Sequence, residues 1–239
     1  MTDTSVPSQC FMDHPEVDQY LAELLPVIIS ESDRGAILLG ASQIDEQLKK
    51  FFEALLPQST SNNRKKEIFS FTGPFGGLSA KLDVAYTCRL LPTALVEAIH
   101  LFRKLRNDLA HKTIAFDLQD HASLVRQIFA SVGPGVDVGV SSATAMVMLE
   151  NAISQLLTMK NPIDQNELMF KDREAVLAYI QDHTHHLSQL ESQRIKWELA
   201  LGIGLICGYI IYIRNQLAIV IRDRETFAFP KFEPRVAGA

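Results

Sequence analysis

The chain has 239 residues, 47% hydrophobic and 21% charged, with a formal net charge of −5, a composition that suits a soluble globular protein with one substantial core. The acidic balance excludes a protein that coats nucleic acid through bulk electrostatics, so any nucleic-acid contact has to be local. Cys10, Cys88 and Cys207 lie far apart without a C-x-x-C spacing, which argues against cysteine zinc sites and dithiol motifs and reads as buried, reduced thiols of a cytosolic protein.

The first five residues lack the basic start and apolar core of a secretion signal, so a cytoplasmic location is expected. A short helix is predicted over residues 15–29, packing Val17, Leu21, Leu24 and Leu25. Ser32 is a good N-cap for a second helix, with Asp33 favourably placed in its first turn. The apolar positions Ile37, Ala41, Ile44, Leu48, Phe51 and Leu55 step alternately by four and three and draw one continuous face that ends at Pro57.

Residues 57–78 read as a loop, with a Ser/Thr/Asn run, the basic triplet Arg64, Lys65 and Lys66, and a Gly/Pro-rich stretch that includes Gly73, Pro74, Gly76 and Gly77. These glycines do not make a phosphate loop. That motif needs glycine, lysine and Ser/Thr in immediate succession, and Lys81 stands four residues beyond Gly77. A turn feeding a helix over 79–90 is predicted instead. Pro92 then opens a helix with the stripe Leu95, Ile99, Phe102, Arg106 and Leu109. A charge on such a stripe is costly unless it is paired, at an interface or in a cleft.

After Thr113 the chain is expected to leave the helix, and Gly133, Pro134, Gly135 and Gly139 mark a flexible stretch. An amphipathic helix over 142–159 is built on Met146, Leu149, Ile153, Leu156 and Leu157, and Pro162 breaks it. The last helical region starts near Asp172 and runs, with room for a kink, to about Arg222, before an irregular tail over 223–239. Within it, residues 199–213 carry no charge but are fewer than the roughly 20 a bilayer span needs. A helix apolar all round also suits the centre of a bundle, so a central helix and no membrane partner are expected. With no repeat and no strand alternation, the fold class is all-α and the 239 residues form a single domain.

The hexad from Arg106 to His111 (RNDLAH) carries the most chemistry. Arginine grips a phosphate through two parallel hydrogen bonds, histidine moves a proton near neutral pH, and the pair needs neither metal nor other cofactor. Metal-free RNA cleavage requires a base for the 2′-hydroxyl, an acid for the leaving 5′-oxygen and a cation for the crowded phosphate. His111 suits the proton transfers, Arg106 the charge, and Asn107 the orientation of an imidazole or a phosphate oxygen. Arg103, Lys104 and Lys112, with Arg64, Lys65 and Lys66, offer a local basic track for RNA.

On a regular helix the step from Arg106 to His111 turns about 140°, whereas Arg103, Asn107 and His111 share a polar stripe. The pair can converge where two copies of the helix meet or where the helix end distorts. A plainer reading is that Arg106 and His111 complement the helix dipole, with Asp108 as an ion-pair partner.

Other candidates are weaker. Of His183, His185 and His186, only His183 and His186 share a helical face and no third ligand follows, so a solvated helix segment and no metal are expected. Asp45 and Glu46 diverge around their helix and form no carboxylate pair, although Asp45 lies beside the Ile44 face. His100 and His121 have no evident partner.

The hexad resembles the arginine-asparagine-x-x-x-histidine signature of the HEPN superfamily, helical domains that include RNA-cleaving toxins, phage-defence nucleases and inactive relatives. Three blocks further resemble the bacterial mannitol operon repressor family, itself HEPN-like. They are Ser32, Asp33, Arg34 and Gly35 with residues 41–45, which include Asp45; residues 71–76, which include Gly73 and Pro74, with Ser79, Ala80 and Lys81; and residues 103–111. Order and spacing agree over about residues 30–120, and a looser match lies at 194–208. The resemblance implies a HEPN-like bundle with its core over 30–120, a helical insertion over 128–185 and a C-terminal core helix over 186–222. It also implies a homodimer in which Arg106 and His111 of both subunits line a shared cleft. RNA cleavage or binding in a regulatory, toxin or phage-defence setting follows, with an antitoxin or regulatory protein as partner. The alternative is a noncatalytic transcriptional repressor acting through protein partners, since the sequence shows no helix-turn-helix and no basic recognition helix.

Overall fold

The computed structural model describes residues 13–111, 116–183 and 185–222, without the side chains of 110, 111, 185–190 and 222. Its elements are α1 (Pro15–Ser30), α2 (Asp33–Leu55), α3 (Asn62–Phe69), α4 (Leu78–Thr87), α5 (Thr93–His111), α6 (Ala122–Val132), α7 (Val136–Leu157), α8 (Arg173–Asp182) and α9 (His185–Arg222), with a 3-10 turn at Gln119–His121. No strand occurs among the described residues, where the only pairing is an isolated bridge between Lys160 and Leu168. The all-α class is the one expected.

Local signals set the helix starts. The Ser32 hydroxyl accepts from the Gly35 N–H at 3.0 Å and opens α2. Ser61 does the same for α3 through Arg64, and Asp172 for α8 through Ala175. Residues 57–78 therefore contain a helix where a loop was expected. α3 buries no residue, so it offers no apolar period to detect, and its Ser61 cap with the Arg64–Glu67 ion pair at 3.0 Å supports it instead. The last helical region is two helices, α8 and α9, with His183 as the C-cap of α8. Gly139, expected in a flexible stretch, lies inside α7.

α9 is the structural centre, and α1, α2, α6 and α7 all pack on it. Leu199, Ala200, Ile203, Ile206, Cys207 and Ile210 are fully buried there. α1 runs antiparallel to α9, since Lys196 bonds the Glu31 carbonyl while Arg214 pairs with Glu16. Residues Glu191–Ile221 have the length and apolar composition of a membrane span, and in the fold their middle fills the bundle centre. Burial pushes the Cys207 thiol up to about 12, which keeps it protonated and unreactive. Cys88 is exposed, against the expectation of a buried thiol, and Cys10 lies outside the described residues.

α6 contributes Val125, Ile128 and Phe129 to the main core, so residue 128 falls inside a core helix. A smaller cluster of Ile153, Phe170, Val176 and Ile180 joins the second half of α7 to α8. α6 meets α9 at Gly202, where a Cβ would sit 1.9 Å from the Phe129 ring. Alanine raises helix propensity by about 1 kcal/mol, but overpacking against a buried ring costs about 1 to 3 kcal/mol. Gly202→Ala is therefore expected to lower the urea midpoint of unfolding, and a midpoint at or above that of the wild type would refute this contact.

Candidate functional site

α5 buries Leu95, Ala98, Ile99, Phe102, Leu105 and Leu109. After Phe102 the stripe takes a three-residue step to Leu105 and then four to Leu109, leaving Arg106 exposed. This corrects its expected place on the buried stripe, because both phases suit a 3.6-residue period and packing selects one. Arg106 carries no burial cost within a single chain. Its Nη1 donates to Asn107 Oδ1 at 3.3 Å, and the side chains of Lys104, Arg106 and Asn107 are all exposed. The half-buried Arg103 donates from Nη1 to His100 Nδ1 at 2.9 Å, giving His100 a partner and placing its ring proton on Nε2. His111 is the last residue of α5, and its side chain and Lys112 lie outside the described residues. Because the backbone stays helical from Arg106 to His111, the two residues leave the axis about 140° apart.

The start of α2 reaches the end of this helix. Arg34 Nη2 donates to the Leu109 carbonyl at 3.1 Å, one of the last four carbonyls of a helix that lack an intrahelical partner. Asp33 Oδ2 accepts from the Leu118 N–H at 3.0 Å, and its Oδ1 lies 3.0 Å from Lys196 Nζ on α9. Ser32, Asp33 and Arg34 are thus brought to the end of the hexad, and Ser32 serves as the α2 cap. Asp45 and Lys81 also meet, at 2.7 Å, with the Lys81 side chain 3% exposed. This pair satisfies a buried ammonium, and the Asp45 side chain stays 38% exposed.

Gly73 and Pro74 belong to a packing turn. A Cβ at Gly73 would lie 2.2 Å from the Glu67 carbonyl oxygen, so only glycine fits the return that stacks Phe75 on Phe52 and Phe69. The same aromatic cluster places α3 beside Phe52, roughly 27 Å along α2 from Arg34 at 1.5 Å per residue. Arg64, Lys65 and Lys66 therefore sit at the opposite end of α2 from the hexad. One chain does not join them to Arg103 and Lys104 in a single basic track.

His183 stacks on Tyr179 at 4.2 Å, and the break between α8 and α9 removes the helical face it was expected to share with His186, whose side chain is not described. His121 stacks on Phe116 at 4.8 Å. Among the described residues no group of three or more His, Cys, Asp or Glu is arranged to hold a metal.

One polar cluster escaped sequence reasoning. Glu198 is fully buried and accepts from Arg126 Nε at 3.1 Å, Arg194 Nε at 3.2 Å and Ser141 Oγ at 2.8 Å, joining α6, α7 and α9. The hydrogen bond that Arg194 donates to Glu191, with Glu198 close by, raises the Arg194 pKa. The i,i+4 spacing of Arg194 and Glu198 was visible in the sequence, but Arg126 and Ser141 are brought in only by the fold.

Comparison with protein-family models, curated proteins and solved structures finds no match for this chain.

Proposed function

We propose that the chain is a HEPN-like protein that binds and cleaves RNA without a metal, acting as a cytoplasmic homodimer in a regulatory, toxin or phage-defence role. The observation that carries this reading is the end of α5, where Lys104, Arg106 and Asn107 are exposed and Arg103 is half-buried, on a chain of net charge −5. These side chains contribute nothing to the core, and they supply a local cationic surface where bulk electrostatics does not. An antitoxin or regulatory protein is the partner this role calls for.

In the proposed reaction Arg106 binds a non-bridging oxygen of the scissile phosphate. One His111 removes the 2′-hydroxyl proton as the 2′-oxygen attacks phosphorus, and the P–O5′ bond breaks. The same His111, set against Arg106 of the other chain, returns the proton as imidazolium to the departing 5′-oxygen, leaving a 2′,3′-cyclic phosphate and a 5′-hydroxyl. Asn107 orients the imidazole or a phosphate oxygen, and Arg103, Lys104 and Lys112 hold the flanking backbone.

The test is incubation of the purified protein with structured and single-stranded RNA in EDTA. The wild type is expected to leave cyclic phosphate ends, and Arg106→Ala and His111→Ala to lower the rate by about 10² to 10⁴ each. Intact RNA, with all three proteins folded and dimeric, would sink the nuclease. It would favour the second reading, a noncatalytic repressor of the mannitol-operon type acting through protein partners. That reading draws on the internal use of the resembling residues, since Asp33, Arg34, Asp45 and Lys81 all make contacts that hold the fold together. Elution as a dimer without detergent is expected on either reading.

A further inference from the structure

We infer that Arg34 is a positioning residue, which with Asp33 fixes the end of α5 and so the point from which His111 leaves the helix. The inference rests on the nuclease reading of that helix.

The geometry is a two-handed grip by the first turn of α2. Arg34 holds the Leu109 carbonyl, two residues before His111, and Asp33 holds the Leu118 N–H on the far side. The grip is anchored in turn. Lys196 of the central helix binds Asp33 Oδ1 at 3.0 Å and donates to the Glu31 carbonyl at 2.9 Å, while Ser32 caps the same turn. Gln119 adds a bond from Nε2 to the Ser192 carbonyl at 2.7 Å, fixing the Leu118 side to α9 as well. A helix end normally frays because its last carbonyls lack partners. Here a cation from another helix occupies one of them, a favourable match to the negative end of the dipole.

This placement matters because a displacement of about 1 Å can lower a rate about 100-fold. A site shared by two chains carries such an error from both. Arg34 itself need not touch RNA. Its removal is expected to lower kcat while leaving the binding of RNA by Arg103, Lys104 and Arg106 in place.

The experiment compares the full-length wild type with Arg34→Ala, Arg34→Lys and Arg214→Ala. Arg214→Ala removes the Arg214–Glu16 pair, roughly 27 Å along α9 from Lys196, and controls for general loss of stability. Arg34→Ala is expected to speed amide exchange at residues 107–111 and 118 and to lower kcat about 10-fold to 100-fold, with KM within about 2-fold. Arg34→Lys keeps a donor and is expected to recover most of both, while Arg214→Ala alters neither. If Arg34→Ala leaves exchange at these amides and kcat at wild-type values, the inference is overturned. If the wild type cleaves no RNA, the nuclease reading fails alone, and exchange at the same amides decides whether Arg34 fixes the helix end.

Discussion

Replacing both arginines that hold Glu198, in Arg126→Ala/Arg194→Ala, is expected to cost about 3 to 5 kcal/mol of stability, because a buried carboxylate is left with no cation. Glu198 has no exposed surface, whereas the Arg126 side chain is 52% and the Arg194 side chain 32% exposed. The asymmetry decides which change hurts. Losing Glu198 leaves two guanidiniums that can turn into water, but losing the arginines strands a charge inside, with the Ser141 hydroxyl as its one remaining donor among the described residues. The cleft over Glu198, about 430 Å³ and lined by Arg126, Asp137, Ser141, Ser142 and Arg194, admits water to the truncated variant and moves the cost towards the lower end. Adding Glu198→Met to the double variant is expected to recover most of the loss, since an apolar side chain of similar length needs no partner. Urea unfolding of the wild type, the double variant and the triple variant measures this. A triple variant as unstable as the double one would mean that lost packing by the arginine stems, and not the stranded charge, causes the damage.

The second large effect concerns the shared site. Arg106→Ala and His111→Ala dimers are each expected to be nearly inactive, yet subunits exchanged between them should recover about a quarter of wild-type cleavage. The arithmetic follows from two-fold symmetry. Random exchange makes about half of the dimers mixed. Each mixed dimer carries one site with an intact Arg106 from one chain and an intact His111 from the other. The wide angle between the two residues on a regular helix motivates this pairing across chains. Recovery near zero, with exchange verified by mass, would place both residues of a working site on the same chain or demand both histidines at once. A variant held monomeric should be inactive with every site residue intact.

Much of the bundle was legible in the sequence because most of its long helices bury one face. Ile37, Ile44, Leu48 and Phe51 are all fully buried on α2, as their spacing required. Ser32, Pro92 and Asp172 marked helix starts through chemistry that acts within one turn. α3 was invisible for the complementary reason: with nothing buried, it leaves no period to see. α6 does have buried Val125, Ile128 and Phe129 at helical spacing, but the helix is short and stands beside the Gly133–Gly135 punctuation. Arg106 was misplaced because steps of three and four are both helical, and only neighbours in space decide between Leu105 and Arg106. The site was legible as a hexad, not as an assembly. Arg34 and Leu109 are 75 residues apart and Arg126 and Glu198 are 72 apart, and no local rule pairs residues across such distances.

The central place of α9 also governs how the chain reaches this state. Helices form locally and fast, but the core closes only when α9 meets α1, as in the Arg214–Glu16 pair 198 residues apart. Long closures of this kind slow the search even in an all-helical protein. During synthesis α1 and α2 emerge with Val17, Ile37 and Ile44 uncovered, and they wait for the last long helix to cover them. The interval before α9 arrives is when this chain is most open to aggregation and to chaperones.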